Sequence, residues 1–433
     1  MEPWREAKAA VRRRARKAVT FCAGFFALFA AFSAPLTAQA PQVTAGEIPN
    51  FARAIYLVED SGADGAGLVV DLAREAGVKI EALAEPPRLV IDFSGVVFAA
   101  GVSLSGKGVG PVSAWRAGLF MMGQSRIVLD LAHPALAERA DFIRQGGMVR
   151  LVLPLRRVAA EKFNERVEAD RKARLLARLP EPGPVTPRAA GAKPLVVLDP
   201  GHGGIDSGAL GGKGEMEKDI VLSTALSVKK ALEADGRVEV AMTREDDRFV
   251  PLGERVRFAR AKGAALFVSI HADSLQGERD VRGASIYTLS DRASDSLAAR
   301  AAEKENRADE AAGIDSEDEQ REGVEDILFD LARRETRLFS QVVAREALGA
   351  FRKHQRLHKT PLRGAKFRVL KAPDVPSILI ELGYLTNAQD AQALGDTLER
   401  AALTKDLAAS LIDFTLLKRN AIPAAGGEGE TAP

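Results

Sequence analysis

A single cysteine, Cys22, is present among 433 residues. It lies inside an apolar leader, so the body of the chain has no disulfide to staple it and no thiolate to hold a metal. Phe21 before it does not suit a lipoprotein cleavage site. Excess positive charge is missing too. The net charge is +2, but residues 1–40 carry seven Lys or Arg against two Asp or Glu, a net of +5, which leaves 2 − 5 = −3 for the rest. A mildly acidic body argues against binding to a nucleic-acid backbone, which needs clustered positive charge. The apolar run Ala18 to Phe32 is shorter than the ~20 residues of a membrane span. The glycine-rich loop Gly204 to Gly214 lacks Gly-x-Gly-x-x-Gly spacing and opens no helix at once, which speaks against a dinucleotide site.

What is present at the N-terminus is the pattern of an export signal. A basic stretch, Arg12 to Lys17, precedes the apolar run, and Ala38-Gln-Ala40 is a small-x-small cleavage site. Residues 1–40 therefore read as a cleaved signal peptide, by the general or the twin-arginine route, with no stable membrane anchor left after cleavage. Export without cysteines in the body fits a bacterial periplasm.

Residues 51–155 alternate short apolar runs with turn signals. Ile55–Val58, Gly67–Val70, Leu89–Phe93, Ser125–Asp130 and Met148–Leu153 are the strand candidates. Their regular spacing predicts a small all-β sandwich or barrel. His133 stands alone there, so this domain reads as a binder. Residues 156–193 read as a linker: Glu161 to Leu179 favours a helix, and Pro180, Pro182, Pro184 and Pro187 break regular structure. Residues 194–420 alternate strands and helices, which predicts a three-layer α/β domain, a mixed sheet flanked by helices. Val238–Thr243, Lys366–Lys371 and Ser377–Glu381 read as strands, and Ala388 to Leu417 as a closing helix. Residues 290–350 interrupt the rhythm as a charged, largely helical insert. Residues 421–433 read as a disordered tail, and the whole as a monomer.

The chemistry sits at strand ends. Leu195-Val-Val-Leu-Asp-Pro-Gly-His-Gly-Gly204 is an apolar strand that delivers His202. Leu266-Phe-Val-Ser-Ile-His-Ala-Asp273 repeats the design with His271, and Ser377-Ile-Leu-Ile-Glu-Leu-Gly383 delivers Glu381. Ligands of open α/β sheets bind outside the carboxyl ends of strands. Glu217, at the start of a helix, completes a His₂Glu set of the kind that holds a catalytic Zn2+ and leaves one position open. Glu215 competes with Glu217, and spacing alone does not separate them. Such a zinc lowers the pKa of water to about 7, and Glu381 would be the general base. Asp199 and Asp273 flank the histidines and would orient an imidazole or cap a turn. His354 and His358 are spaced as a helical pair, but their Lys/Arg-rich setting reads as surface or groove.

Two resemblances extend this reading. The stretch Pro86-Pro-Arg-Leu-Val-Ile-Asp-Phe-Ser-Gly95, with the second stretch Arg126-Ile-Val-Leu-Asp130, resembles the AMIN domain, which implies a β-sandwich that targets peptidoglycan. From Pro194 to Leu417 the chain resembles the zinc-dependent N-acetylmuramoyl-L-alanine amidases of bacterial cell division. Five ordered motifs carry this: Leu198 to Gly204, Glu217-Lys218, Thr243-Arg244 with Arg255, Ser269 to Asp273, and Glu381-Leu-Gly-Tyr-Leu-Thr-Asn387. The resemblance implies one zinc on His202, Glu217 and His271, with Glu381 catalytic. It implies hydrolysis of the amide between the lactyl group of N-acetylmuramic acid and L-alanine, in wall remodelling and daughter-cell separation. It also implies an inserted helix that blocks the zinc, through Glu305 or Glu303, until a degenerate LytM-type protein activator withdraws it. Ile327-Leu-Phe-Asp-Leu331 would offer that activator an apolar face. Two other readings remain open: a zinc peptidase acting within the stem peptide, and a non-catalytic peptidoglycan-binding protein.

Overall fold

The computed structural model describes residues 50–60, 65–121, 123–137, 139–145, 147–177, 191–274, 280–314, 328–354 and 357–421. The leader, the proline-rich half of the linker and the tail lie outside these residues, as does Ile327. The chain divides into two compact units, one running to Ala177 apart from Gly118–Met122, the other continuing from Arg178.

The first unit is built from β1 (Asn50–Asp60), β2 (Gly65–Leu72), β3 (Gly77–Leu83), β4 (Arg88–Ser94), β5 (Val96–Phe98), β6 (Ser105–Lys107), β7 (Val112–Met121), β8 (Gln124–Leu131), β9 (Ala135–Ala137), β10 (Asp141–Gln145) and β11 (Met148–Arg157). One sheet runs β10-β11-β2-β1-β5, with β9 also on β11, and the other runs β3-β4-β8-β7-β6. Leu68, Val70, Leu151 and Leu153 from the first sheet share a core with Leu89, Ile91, Ile127 and Leu129 from the second. These residues recur at i, i+2, the period that turns alternate side chains to one face of a strand. The two stretches that carry the AMIN resemblance are neighbours, with Asp92 opposite Arg126 in register. Their side chains form a two-pronged ion pair at 2.6 and 2.8 Å, the bidentate geometry that fixes an arginine best.

The linker is shorter than the sequence suggests. Helix α1 (Ala160–Ala177) buries Phe163 and Val167 in the β core. Its Asp170 accepts from the Ala82 N–H at 2.8 Å, and Arg166 donates to the Ile80 carbonyl. A helix that reads as charged and free therefore covers the exposed edge of β3, where unpaired backbone groups need partners.

The second unit follows the order β12 (Leu195–Pro200), α2 (Glu217–Asp235), β13 (Glu239–Met242), α3 (Leu252–Ala261), β14 (Leu266–His271), β15 (Ala284–Leu289), α4 (Ser296–Asn306), α5 (Ala308–Ala311), α6 (Leu328–His354), β16 (Leu357–Ala365), β17 (Ser377–Glu381), α7 (Ala388–Gly395) and α8 (Thr397–Ala421). The sheet order is β13-β12-β14-β17-β15-β16. Strands β13, β12, β14 and β17 are mutually parallel, and β15 runs antiparallel to β17. The sheet is therefore mixed and flanked by helices. On one face Val196, Leu198, Val268, Ile270, Ile378 and Ile380 meet α2, α6 and α8. On the other, Arg255 of α3 reaches Asp199 and the Pro200 carbonyl.

Three expectations change here. Lys366–Lys371 is not a strand: Arg368–Leu370 forms a 3-10 turn, and the strand beside β15 is β16. The closing helix is two helices, broken where Asp396 takes an extended conformation. The insert is narrower than 290–350, because α6 belongs to the core. Its Val343, Ala344, Ala347, Leu348 and Phe351 are buried against the sheet and α8, an apolar stripe at helical spacing within a charged sequence. Only α4 and α5 remain as an added helical segment among the described residues.

Candidate active site

The turn after β12 is held by two buried arginines. Arg244 donates to the carbonyls of Pro200, Gly201 and Lys218. Arg255 donates to those of Pro200, Val250 and His202 and to Asp199 Oδ1 at 2.9 Å. Asp199 also accepts from Thr243 and Ser269, and these partners hold its carboxyl below the usual range against the effect of burial. Asp199 thus braces the loop and does not bond the histidines. His202 has φ +58°, an uncommon conformation for a residue with a Cβ, which the arginine-held carbonyls enforce. Gly201 is required beside it: a Cβ there would lie 2.3 Å from Cε1 of His271.

Glu217 is the first residue of α2 and fully buried. Its Oε2 accepts from the Ala209 N–H and its Oε1 from the Ala272 N–H, at 2.8 and 2.9 Å. Glu215 instead accepts from the Lys213 N–H and is only half-buried. His271 ends β14, directly opposite Glu381 at the end of β17.

Four ligand atoms converge. His202 Nε2 lies 3.1 Å from Glu217 Oε1 and 3.4 Å from Glu305 Oε2. His271 Nδ1 lies 3.2 Å and 3.0 Å from the same two oxygens. Bonds of 2.0–2.1 Å to a tetrahedral ion place ligand atoms about 3.3 Å apart, so these separations suit one. His202 Nε2 and His271 Nδ1 are buried and make no hydrogen bond, which a buried polar atom avoids unless something else satisfies it. The group His202, Glu217, His271 and Glu305 can hold a metal ion. Burial lowers the basicity of both histidines, but the surrounding carboxylates outweigh it. They raise His202 well above its usual pKa and His271 to about 10. A cation at the centre would serve the same carboxylates.

Glu381 is fully buried beside this group. Its Oε2 accepts from the Asp273 N–H at 3.0 Å, and its Oε1 has no partner. Burial, helped by the charge of Asp273, pushes its carboxyl well above the usual value. That is the direction that suits a group which takes and returns a proton.

Helix α4 closes the site. Its Asp295 caps the N-terminus and pairs with Arg363, and its last turn delivers Glu305 to the histidines. Glu303 points away, 63% exposed and paired with Arg307 at 2.7 Å. Lys304 pairs with Asp273, so Asp273 serves the helix and Glu381 and does not orient an imidazole. Burial pushes the Asp273 carboxyl up to about 6. The residue on the far nitrogen of His202 is Asp206, whose Oδ2 lies 2.8 Å from Nδ1. Sequence reasoning missed it; the signal was an acidic residue four positions after the histidine in a glycine-rich loop. His354 and His358 do not come together at a metal: His354 pairs with Asp406, and His358 lies against Arg363 on β16.

A family profile described as N-acetylmuramoyl-L-alanine amidase matches residues 196–413. The amidase AmiA of Salmonella typhimurium is 39% identical over 228 residues, 52% of this chain and 78% of that protein. The amidase AmiC of Escherichia coli O6:H1 is 32% identical over 363 residues, 80% of this chain and 84% of that protein. The solved structure of amidase AmiC2 of Nostoc punctiforme aligns at 28% identity over 52% of this chain and 99% of that one, with a TM-score of 0.39. By its matched domain and its relatives, the chain belongs to the N-acetylmuramoyl-L-alanine amidase family.

Proposed function

We propose that the chain is a zinc-dependent amidase that cuts peptidoglycan between the lactyl group of N-acetylmuramic acid and the L-alanine of the stem peptide, in wall remodelling and cell separation. The observation that carries this is the convergence of His202 Nε2, His271 Nδ1 and Glu217 Oε1 at tetrahedral spacing with Glu381 alongside. Zinc, when bound, supplies Lewis acidity and a water of lowered pKa. His202, Glu217 and His271 hold it. Asp206 keeps the His202 ring oriented through Nδ1. Glu381 takes the proton of the attacking water and returns it to the leaving nitrogen. Its free Oε1 is the atom available for that transfer.

Glu305 acts in this reading as an internal inhibitor that takes the fourth ligand position. Its carboxylate stands at 3.4 and 3.0 Å from the two histidine nitrogens. An activator of the degenerate LytM type would withdraw α4. The first unit would hold the enzyme on peptidoglycan, a role supported by its AMIN-like stretches on paired strands. Export to the periplasm rests on the N-terminal signal pattern. Among the described residues no helix is long and apolar enough to cross a membrane.

The test is release of peptides from purified sacculi by zinc-loaded residues 41–433, in the parent chain and with Glu305→Ala. Products with L-alanine at the new N-terminus support the amidase. Cleavage within the stem peptide would favour a peptidase, and binding without cleavage by the opened chain would favour a wall-binding protein.

A further inference from the structure

Lys304 and Glu305 are consecutive residues, and both enter the site. The carboxylate of Glu305 stands at the metal-ligand atoms. The ammonium of Lys304 stands on Asp273, the residue whose N–H holds Glu381. Asp273 is 1% exposed, and its Oδ2 has no partner. One short segment thus places a carboxylate beside the metal ligands and an ammonium beside the proton-transferring glutamate.

Amide hydrolysis makes the same two groups. In R–CO–NH–R′ + H2O → R–COO− + R′–NH3+, the C–N bond breaks. The water oxygen joins the acyl carbon, and both water protons end on nitrogen. The carboxylate product belongs at the metal ligands, and the ammonium product forms where Glu381 delivers the proton. We infer that Lys304-Glu305 is an internal mimic of the two products, and that Asp273 is the residue that receives the α-ammonium of the released L-alanyl peptide. The inference rests on the amidase reading. When α4 withdraws, Asp273 loses its partner, and its carboxylate beside Glu381 is left open to another cation. The nitrogen of the scissile amide is neutral before cleavage and cationic after it. Asp273 therefore gains attraction as the bond breaks, which is the differential interaction catalysis requires.

The probes are the L-alanyl stem peptide, with a free α-amine, and its N-acetylated form. Each is tested as an inhibitor of sacculus hydrolysis by the zinc-loaded full-length chain opened with Lys304→Ala and Glu305→Ala. A charge-assisted pair at Asp273 predicts that the free amine inhibits about tenfold more tightly than the acetylated peptide. Adding Asp273→Asn should erase that preference while zinc content stays the same, and Asp273→Glu should restore part of it. A second arm leaves Asp273 intact: with Glu305→Ala alone, Lys304 still competes, so the preference should be weaker than in the double variant. Equal inhibition by the two peptides, or a preference that survives Asp273→Asn, overturns the inference while leaving the amidase in place. A double variant that is folded and zinc-loaded yet releases no L-alanyl peptide overturns the amidase reading and this inference with it.

Discussion

His271 and Glu381 face each other in register at the ends of the parallel strands β14 and β17. One offers Nδ1 to the metal-ligand group and the other a free Oε1. Because both sit at strand ends, the separation between the two side chains is set by sheet geometry. Glu381→Gln keeps the shape and removes the proton transfer. Sacculus hydrolysis by the Glu305→Ala chain should fall by about 10²–10⁴-fold when Glu381→Gln is added. Zinc content, measured by elemental analysis, should not change. A parallel loss of zinc would assign Glu381 to the ligands instead.

Asp206 fixes the His202 ring from behind, at 2.8 Å from Nδ1. Its Oδ1 also accepts from the Gly208 N–H, so the carboxylate is itself anchored. Partners of this kind are worth about 10–100-fold in metal affinity. Asp206→Ala should weaken zinc binding by that factor in competition with a chromogenic chelator. An unchanged affinity would show that the loop and its arginines orient the ring without help.

Much of this was readable in the sequence. His202, His271 and Glu381 each follow or end an apolar run that reads as a buried strand, and the fold places His271 and Glu381 at strand ends and His202 in the turn just past one. Spacing alone does not separate Glu217 from Glu215; the motif resemblance selects Glu217, and the structure gives the physical difference. The two differ by whether the backbone N–H groups of Ala209 and Ala272 converge on the carboxylate. Lys304 and Asp273 are 31 residues apart, and no local pattern announces their pairing. Helix α6 conceals its place in the core for a different reason. Its sequence is dense in charge, and its buried stripe from Val343 to Phe351 is made partly of alanines, which carry little hydrophobic signal. In α1 the buried apolar anchors among the described side chains are Phe163 and Val167, too few for a periodic pattern.

Arg255 connects α3 to the catalytic turn, at 2% exposure. It is the ionic partner of Asp199 and the donor to three carbonyls. Arg255→Met would leave Asp199 as a buried charge with only two hydroxyl donors. Breaking one side of such a pair destabilises by about 3–5 kcal/mol. Chemical denaturation of the full chain should show a loss of that size, with the midpoint shifted and zinc retention impaired as His202 loses its backbone support. A loss below ~1 kcal/mol would mean that the hydroxyls of Thr243 and Ser269 suffice for Asp199.

Gly201 tests the packing of the two histidines. An added methyl would lie 2.3 Å from Cε1 and 2.5 Å from Nε2 of His271, well inside van der Waals contact. The ring cannot retreat without withdrawing Nδ1 from Glu217. Gly201→Ala should therefore destabilise the chain by about 1–3 kcal/mol through overpacking and should release zinc more readily than the parent. Normal zinc affinity together with normal stability would show that the β12 turn shifts to make room.

The two candidate inhibitory carboxylates make opposite predictions. Glu305 is 4% exposed and faces both histidine nitrogens. Glu303, one turn face away on the same helix, pairs with Arg307 in solvent. Only the first stands where it would compete with substrate for the ligand position. Glu305→Ala should raise hydrolysis of sacculi at least about tenfold, the effect of a ~1.4 kcal/mol shift toward the open helix. Glu303→Ala should leave it within about twofold, because an exposed i, i+4 pair contributes only ~0.3–0.5 kcal/mol. Glu305→Gln separates charge from shape: a neutral amide is a poor substitute for a carboxylate on a cation, so this variant should be activated nearly as far as the alanine. Equal activation by Glu303→Ala and Glu305→Ala would mean that substitutions anywhere on α4 simply loosen the helix, and that no carboxylate competes at the metal.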